Sequence, residues 1–433
     1  MVSTIPAVIA AVAYFHLLSS GTLSLITDGF FSIPVSTQIA LLSILFAIVF
    51  LAVDLSLFLD PHAHDHHDDH DPPPYQNYPL EQISNATSDK EKFLAVYPML
   101  RDQMLAHMTA NEMPSDAVDW CKTMMDYTVP GGKLNRGVTV LAVHRTLTQA
   151  QHNRDLTSEE VAKASVLGWA IEFLQAFFLV ADDVMDASKT RRGQPCWYQL
   201  PNVKNIAIND SFLLESYVFT MLKQHFGKED FYLNLLELFI KVIQQTEFGQ
   251  LLDLTSQDEG SEVIDLTRFT LERYQKIVKY KTAFYTFYLP VAIGMITSRV
   301  AGEEEYALAE TICCQMGEYF QVQDDYLDCF GDPEVIGKVG TDIQDNKCSW
   351  LVVQALDRVT PQQRKVLEDN YGQWDDVKVM NVKALFKELD MVKVFEDYEE
   401  QSYAEIQHAL DKITLMPRDV FELLLKKIYK RSK

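Results

Sequence analysis

Apolar positions recur at helical spacing over most of the chain. Between residues 231 and 243 they return every three or four positions, which is the period of an amphipathic helix. Nearly every position from 166 to 181 is apolar, and this run predicts a helix buried on all sides. No segment shows a convincing two-residue alternation of the kind that strands produce. The pattern from Lys90 onward therefore predicts one all-α domain of about 340 residues.

The first 60 residues follow a different pattern. Residues 5–26 and 39–53 carry no charge, and the second stretch continues beyond Asp54 to Leu59. Because about 20 apolar residues cross the hydrocarbon core of a bilayer, residues 1–60 are expected to form a hydrophobic extension with one or two transmembrane helices. A cleaved or unusual targeting segment, or an error in the predicted gene, would also account for this composition.

A break in composition separates the extension from the rest of the chain. No Lys or Arg precedes Lys90, and six of the eleven His lie before it, which places a boundary near residue 85. Residues 61–85 are rich in His, Asp and Pro and are expected to form a solvated linker, with weak zinc or nickel binding as the alternative.

The overall charge and the cysteines narrow the class of protein. The net charge of -23 argues against a nucleic-acid partner. The six Cys contain no CxxC pair, so a reducing compartment is expected.

Two acidic clusters with the same spacing carry the chemistry. Asp182, Asp183 and Asp186 end the long apolar run, and the same DDxxD spacing returns about 140 residues later at Asp324, Asp325 and Asp328. Residues four apart share one face of a helix. Carboxylates at the end of a buried helix are costly unless they are neutralised. The two clusters therefore predict facing carboxylate walls suited to Mg²⁺, which binds through a few carboxylates and substrate phosphate oxygens.

Basic residues follow both acidic clusters. Arg suits bidentate contacts with phosphate, and Lys supplies a point charge. Surface charges would be the simpler explanation, but their closeness to the acids favours a diphosphate site. The candidates are Arg191, Arg192, Lys281 beside Thr282, Lys338 and Lys347.

Four motifs together carry a family resemblance. They lie at 131–136, 177–198, 248–253 and 320–350. On these residues, positions from about 90 to 433 resemble the trans-prenyl diphosphate synthases, and among them the eukaryotic farnesyl diphosphate synthases. The resemblance implies an isoprenoid-synthase-type bundle of long helices around a central cavity, formed by residues 86–433 and paired as a homodimer.

The resemblance also implies an activity. It is the Mg²⁺-dependent head-to-tail condensation of isopentenyl diphosphate with dimethylallyl diphosphate and then geranyl diphosphate. The product would be farnesyl diphosphate for sterol and isoprenoid synthesis. Three Mg²⁺ ions per site are expected, and Mn²⁺ is expected to replace them.

Roles carry over to individual positions through the same resemblance. Asp182, Asp186 and Asp324 match direct metal ligands, and Asp183, Asp325 and Asp328 match supporting ones. Arg191, Lys281, Thr282, Gln321, Lys338 and Lys347 match the allylic diphosphate site, whereas Lys133, Arg136, Gln175 and Arg192 match the isopentenyl diphosphate site. Lys281, Thr282, Tyr285 and Gln321 match groups that stabilise the carbocation, and residues 429–433 resemble a basic tail that closes over the isopentenyl site.

The length of the product is expected to depend on two aromatic rings. Phe177 and Phe178 lie five and four residues before Asp182, about one helical turn of 5.4 Å below it. They are expected to form the floor that stops elongation at fifteen carbons. A geranylgeranyl diphosphate synthase and a non-catalytic, membrane-tethered pathway scaffold remain the alternative functions.

The extension also leads to an expected location. The catalytic domain is expected to face the cytosol from a membrane, with the endoplasmic reticulum as the candidate organelle. An organelle-targeted protein, or a soluble cytoplasmic one after processing, is the alternative.

Overall fold

The computed structural model describes residues 77–256, 264–332, 334 and 339–430. Four parts of the predictions lie outside these ranges: the extension, residues 61–76 of the linker, Lys338, and residues 431–433 of the basic tail. The described part is mostly helical, which confirms the all-α prediction. Its α-helices, labelled α1 to α16, are Leu80–Asn85, Asp89–Leu94, Tyr97–Ala110, Ser115–Thr128, Asn135–His152, Ser158–Met185, Ile206–Phe226, Tyr232–Leu254, Leu271–Ile277, Leu289–Thr297, Glu303–Phe330, Trp350–Leu356, Pro361–Asn370, Asp376–Glu388, Met391–Asp411 and Asp419–Ile428. A π-helical segment, Val278–Tyr288, joins α9 to α10, and short 3₁₀ turns lie at Trp197–Gln199 and Leu266–Arg268.

Helix α6 is the centre of the bundle. It begins with a capping box in which Thr157 accepts a hydrogen bond from the Glu160 N–H and Glu160 accepts one from the Thr157 N–H. Its 28 residues extend about 40 Å. The helix is long and apolar enough to cross a membrane, but 83% of its apolar window is buried inside the domain. It packs against α5, α7 and α10, and it is the buried helix that the apolar run predicts.

Glycines let the helices around the site approach closely. An added Cβ at Gly249 on α8 would lie 2.1 Å from the Lys281 backbone nitrogen, and one at Gly317 on α11 would lie 2.3 Å from the Ala283 Cβ. The π-helical segment is therefore held tightly between α8 and α11. Such segments are rare and are frequent at functional sites. This one carries Lys281 and Thr282.

A short hairpin follows α6, which the sequence pattern did not predict. Strands β1 (Thr190–Arg191) and β2 (Gln194–Pro195) pair antiparallel, with Arg191 opposite Gln194. Arg192 and Gly193 between them have φ of 55° and 76°, as a type I′ turn requires. The turn directs Arg191 toward Asp183 at the end of α6 and Arg192 toward the Thr128 carbonyl at the end of α4.

Two apolar cores support the described domain. The larger surrounds α6 and includes Trp169, Phe173 and Phe239. The smaller lies among α9 and α12 to α15 and includes Trp350, Tyr371 and Phe386. The second core holds the loop that carries Lys347, because Tyr371 donates a hydrogen bond to the Lys347 carbonyl at 2.7 Å.

Candidate active site

Two neighbouring cavities lie at the end of the bundle where α6 terminates. The first, called the carboxylate cavity, has a volume of about 680 Å³ and contains both acidic clusters. The second, called the basic cavity, has a volume of about 700 Å³ and is lined by motif residues 131–136 and by α6. Thr190 and Arg191 of the hairpin line both cavities.

The first acidic cluster occupies the last turn of α6, where the helix dipole is unfavourable for negative charge. Arg191 compensates part of it, since its guanidinium donates to Asp183 at 2.5 Å and lies 3.5 Å from Asp182. Gln250 of α8 donates to Asp182 at 3.0 Å. Burial, and then the charge of Asp182, raises the pKa of Asp186, although Lys347 opposes the shift. The cluster therefore carries more negative charge than its surroundings favour.

The second acidic cluster divides into one half-buried member and two buried, anchored ones. Asp325 is buried and accepts from the Trp350 backbone N–H at 2.7 Å and from Gln321 at 3.0 Å. Burial raises the pKa of Asp325 to about 7. Asp328 accepts from the Asp342 N–H at 3.0 Å and so fixes the loop after α11. Asp324 lines the carboxylate cavity and is less buried than Asp325.

Two lysines and one further carboxylate connect the walls of the cavity. The Lys281 ammonium lies 2.6 Å from Asp253 and 3.5 Å from Asp182. The Lys347 ammonium lies 3.1 Å from Asp253 and 3.0 Å from Asp186. Burial alone would raise the pKa of Asp253, but the charges of the two lysines outweigh it and hold that pKa well below its usual range.

The donor set of this cavity fits a divalent cation shared with a substrate. In the described ranges, no group of three or more His, Cys, Asp or Glu side chains converges closely enough to hold a metal by itself. Mg²⁺ does not need such a cage, because it is usually held by one or two carboxylates together with substrate phosphates. Asp182, Asp186 and Asp324 all line the cavity and offer oxygen ligands.

The basic cavity is suited to an anion. Its described lining includes a single acid, Glu172, and six basic side chains: Lys90, Lys133, Arg136, Arg191, Arg192 and Lys427. All four residues predicted for the isopentenyl site, Lys133, Arg136, Gln175 and Arg192, line it together. The Gln175 side-chain oxygen is buried without a hydrogen-bond partner among the described residues. This wall therefore presents mainly cations to the cavity.

Hydrogen bonds and one close packing contact fix Arg136 and Arg192 in the basic cavity. Arg136 donates to Thr286 at 2.8 Å and to the Tyr285 hydroxyl at 3.0 Å. Arg192 donates to the Thr128 carbonyl at 3.0 Å. A Cβ at Gly132 would lie 2.9 Å from the Arg192 guanidinium, so this glycine makes room for the arginine. Burial, together with Arg191 and Arg136, lowers the pKa of Arg192, although the charge of Glu172 opposes the shift.

The remaining predicted residues are placed less uniformly. Thr282 donates to Gln321 at 3.0 Å, and both line the carboxylate cavity. Tyr285 lies behind Arg136, whose guanidinium carbon is 4.6 Å from the centre of its ring. Phe178 packs edge-on against Tyr285 at 5.4 Å, and Phe177 is buried beside Phe178 at 4.8 Å.

Comparison with known proteins matches the part of the chain that contains these site residues. The sequence profile of the polyprenyl synthetase family matches residues 118–389. The chain belongs to this family. A Homo sapiens relative named farnesyl pyrophosphate synthase is 51% identical over 336 residues, which cover 76% of this chain and 79% of the relative. One from Candida albicans is 48% identical over 354 residues, with 81% and 100% covered.

A solved structure agrees with these relatives. The T. brucei farnesyl diphosphate synthase complexed with risedronate superposes with a TM-score of 0.74 at 40% identity, covering 80% of this chain and 100% of that one. The predictions of the family, of its fold and of prenyltransferase activity are thereby confirmed.

Sequence reasoning missed several residues of this polyprenyl synthetase. Asp253 and Gln250 contact the predicted site residues but received no role, although both fall in the motif at 248–253. Lys427 lines the basic cavity two residues before the basic tail that the sequence singled out. Burial lowers the pKa of Lys427. The motif at 248–253 pointed to Asp253 and Gln250. The sequence does not show which side chains they contact in the fold.

Proposed function

We propose that this polyprenyl synthetase condenses isopentenyl diphosphate with dimethylallyl diphosphate and then with geranyl diphosphate, giving farnesyl diphosphate. The observation that carries the proposal is the pair of neighbouring cavities that share Thr190 and Arg191 in their walls. Two anions held side by side bring their reacting carbons together and remove most of the entropic cost of a bimolecular step. Relatives named farnesyl pyrophosphate synthase, matched over nearly their whole length, support the same product.

The allylic diphosphate belongs in the carboxylate cavity. Arg191, Lys281 and Lys347 surround it with positive charge, and Lys338 is a further candidate from the sequence. Asp182, Asp186 and Asp324 would hold up to three Mg²⁺, with Mn²⁺ as a substitute, while Asp183, Asp325 and Asp328 orient the walls. Bound Mg²⁺ supplies Lewis-acid stabilisation of the charge that grows on the departing pyrophosphate.

Isopentenyl diphosphate belongs in the basic cavity, held by Lys133, Arg136, Gln175 and Arg192. The cations fix its diphosphate while its double bond faces the allylic carbon. The allylic C–O bond breaks, the pyrophosphate leaves with the electron pair, and the isopentenyl double bond forms the new C–C bond. A proton is then lost from the isopentenyl unit to the pyrophosphate. No protein nucleophile takes part.

A carbocation is stabilised by the negative ends of nearby dipoles, such as carbonyl oxygens. Lys281 and Thr282 lie in the π-helical segment, and Gln321 is hydrogen bonded to Thr282. We assign the carbonyl groups of Lys281 and Thr282, with Gln321 and the hydroxyl of Tyr285, to this stabilisation. Preorganised dipoles of this kind commonly supply the largest single share of catalysis.

Steady-state kinetics of single variants test the two-site assignment. Lys281→Met should raise KM for geranyl diphosphate, and Arg136→Gln should raise KM for isopentenyl diphosphate, each with a smaller effect on the other substrate. A non-catalytic scaffold would show no Mg²⁺-dependent turnover in the wild type. Variants that change both KM values equally would contradict the assignment of one substrate to each cavity.

Chain length is proposed to end at Phe177 and Phe178. The support is their place one turn before Asp182 on α6 and the contact between Phe178 and Tyr285. A geranylgeranyl diphosphate synthase would need room for another prenyl unit at this depth, so the size of these rings favours fifteen carbons.

A homodimer is proposed from the exposed faces of α7 and α8. Large apolar side chains there remain in solvent, among them Phe212 at 57%, Leu233 at 60% and Phe248 at 54% exposed. Exposed apolar patches of this kind mark interfaces. Sedimentation of residues 77–433 should return a dimer, and Phe212→Glu with Phe248→Glu should return a folded monomer. A wild-type monomer at micromolar concentration would contradict the proposal.

A membrane tether remains a proposal that rests on the sequence of residues 1–60. The uncharged stretches would anchor the protein, with the catalytic domain in the cytosol at the endoplasmic reticulum. Deleting residues 1–76, which spares α1 and its buried Ile83, should move the protein from the membrane pellet to the supernatant with little change in kinetics. Full protection of the catalytic domain from protease in intact microsomes would contradict this orientation.

A further inference from the structure

Asp253 occupies a position between the two lysines of the carboxylate cavity. It lies in the last turn of α8, and its side chain is 8% exposed. Lys281 reaches it from the π-helical segment at 2.6 Å, and Lys347 reaches it from the loop before α12 at 3.1 Å. One buried carboxylate thus joins cations from two elements that are far apart in sequence.

Each lysine also contacts one carboxylate of the first acidic cluster. Lys281 lies 3.5 Å from Asp182, and Lys347 lies 3.0 Å from Asp186. An ammonium group has three N–H donors. Each lysine can therefore keep a bond to Asp253 while its contact with Asp182 or Asp186 is exchanged for another acceptor.

We propose that Asp253 is a positioning residue that holds both ammonium groups at the allylic diphosphate site throughout the reaction. The proposal rests on the proposed function, since it needs a diphosphate in this cavity. With a diphosphate and metal bound, Asp182 and Asp186 would be the carboxylates that hold the metal, and each lysine would have a donor free for a diphosphate oxygen. Asp253 remains the constant partner that keeps the two cations apart and directed into the cavity.

A carboxylate is needed at this point for two reasons. Two like charges held close together repel each other, and the shared anion between them offsets that repulsion. Without Asp253, each lysine would pair more closely with Asp182 or Asp186. Those carboxylates would then be less available as metal ligands. A purely structural ion pair, or a carboxylate that competes with the diphosphate for the lysines, would behave differently in the following test.

The test replaces Asp253 by Asn in the full chain and measures binding of inorganic pyrophosphate with Mg²⁺ by calorimetry. Losing a hydrogen bond to a charged group corresponds to about a tenfold to hundredfold loss of affinity, so a loss in this range is expected. In the assay, KM for geranyl diphosphate should rise and kcat should fall, while KM for isopentenyl diphosphate stays within about twofold. Half-maximal activity should also require more Mg²⁺.

A matched control is Asp210→Asn. Asp210 is also buried, but its carboxylate accepts from Trp120 at 3.0 Å and Trp197 at 2.8 Å, away from both lysines. That variant should bind pyrophosphate like the wild type. A double variant, Asp253→Asn with Lys281→Met, shows whether Asp253 acts through the lysine, because the Asp253 effect should shrink in the Lys281→Met background.

Unchanged or tighter pyrophosphate binding by Asp253→Asn would overturn the proposal, and so would a full effect in the Lys281→Met background. If Asp253→Asn does not fold, Asp253→Glu keeps the charge and displaces it by one methylene. It should then fold and bind pyrophosphate more weakly, and wild-type binding would overturn the proposal. A wild type that neither binds pyrophosphate nor incorporates isopentenyl diphosphate would instead refute the proposed function.

Discussion

A single methyl group at Gly249 should test how tightly the site depends on the packing of α8. In Gly249→Ala the new Cβ would lie 2.1 Å from the Lys281 nitrogen and 2.5 Å from its Cα. Ordinary contact begins at 3.4 Å, so α8 and the π-helical segment must separate by about 1.3 Å. The obstructing atoms belong to the backbone, so no side-chain rotation relieves the overlap.

The consequences for stability and activity differ in size. Overpacking of this kind costs about 1–3 kcal/mol, but alanine gains about 1 kcal/mol over glycine inside a helix. The net loss of folding free energy should therefore be small, about 0–2 kcal/mol. A displacement near 1 Å at a catalytic group can cost about a hundredfold in rate. Since Lys281 is the residue displaced, we expect a large fall in kcat and only a small fall in the melting temperature.

The assay pairs thermal unfolding with steady-state turnover on geranyl and isopentenyl diphosphates. Asn234→Ala, at an exposed position of the same helix, controls for helix propensity. A Gly249→Ala protein with wild-type kcat would show that the site tolerates separation of α8 from the π-helical segment.

The other predictions address the metal walls, the pH dependence and the product. Asp182→Ala and Asp324→Ala should fold normally and lose turnover by several orders of magnitude at saturating Mg²⁺, and near-normal rates would exclude them as ligands. Burial raises the pKa of Asp325 to about 7, whereas the unfolded pKa is near 4. Between these two pH values the Asp325 carboxyl is protonated in the folded state and ionised in the unfolded state. The metal-free wild type should therefore lose stability as the pH rises from about 4 to about 7, and Asp325→Asn should lose less in denaturant titrations. Phe177→Ala with Phe178→Ser, once shown to be folded, should shift the product to twenty carbons or more. A folded variant that releases only fifteen-carbon product would show that these two rings do not limit the chain length.

Local patterns in the sequence predicted the framework of the site. The apolar run before Asp182 predicts a buried helix with its acids at the C-terminal end, because both features depend only on residues adjacent in sequence. The spacing of DDxxD likewise places the second cluster on α11. The residues proposed for the isopentenyl site were predicted from the family resemblance, and they line one cavity together.

Features that depend on packing were not predictable in this way. The hairpin after α6 has strands of two residues, which are too short to show a period. A π-helical segment and an α-helix share similar apolar patterns, so the segment around Lys281 reads as ordinary helix. The contacts of Asp253 arise because Gly249 admits the backbone of Lys281, and no local pattern contains that information.

The most direct test of the central claim is the identity of the product. Purified full-length protein would be incubated with dimethylallyl diphosphate, radiolabelled isopentenyl diphosphate and Mg²⁺, and the products would be separated by chain length. We expect Mg²⁺-dependent incorporation of two isopentenyl units into farnesyl diphosphate, with geranyl diphosphate as the intermediate. Mainly twenty-carbon product would contradict the assignment of chain length, and no incorporation under any divalent cation would contradict the proposed function itself.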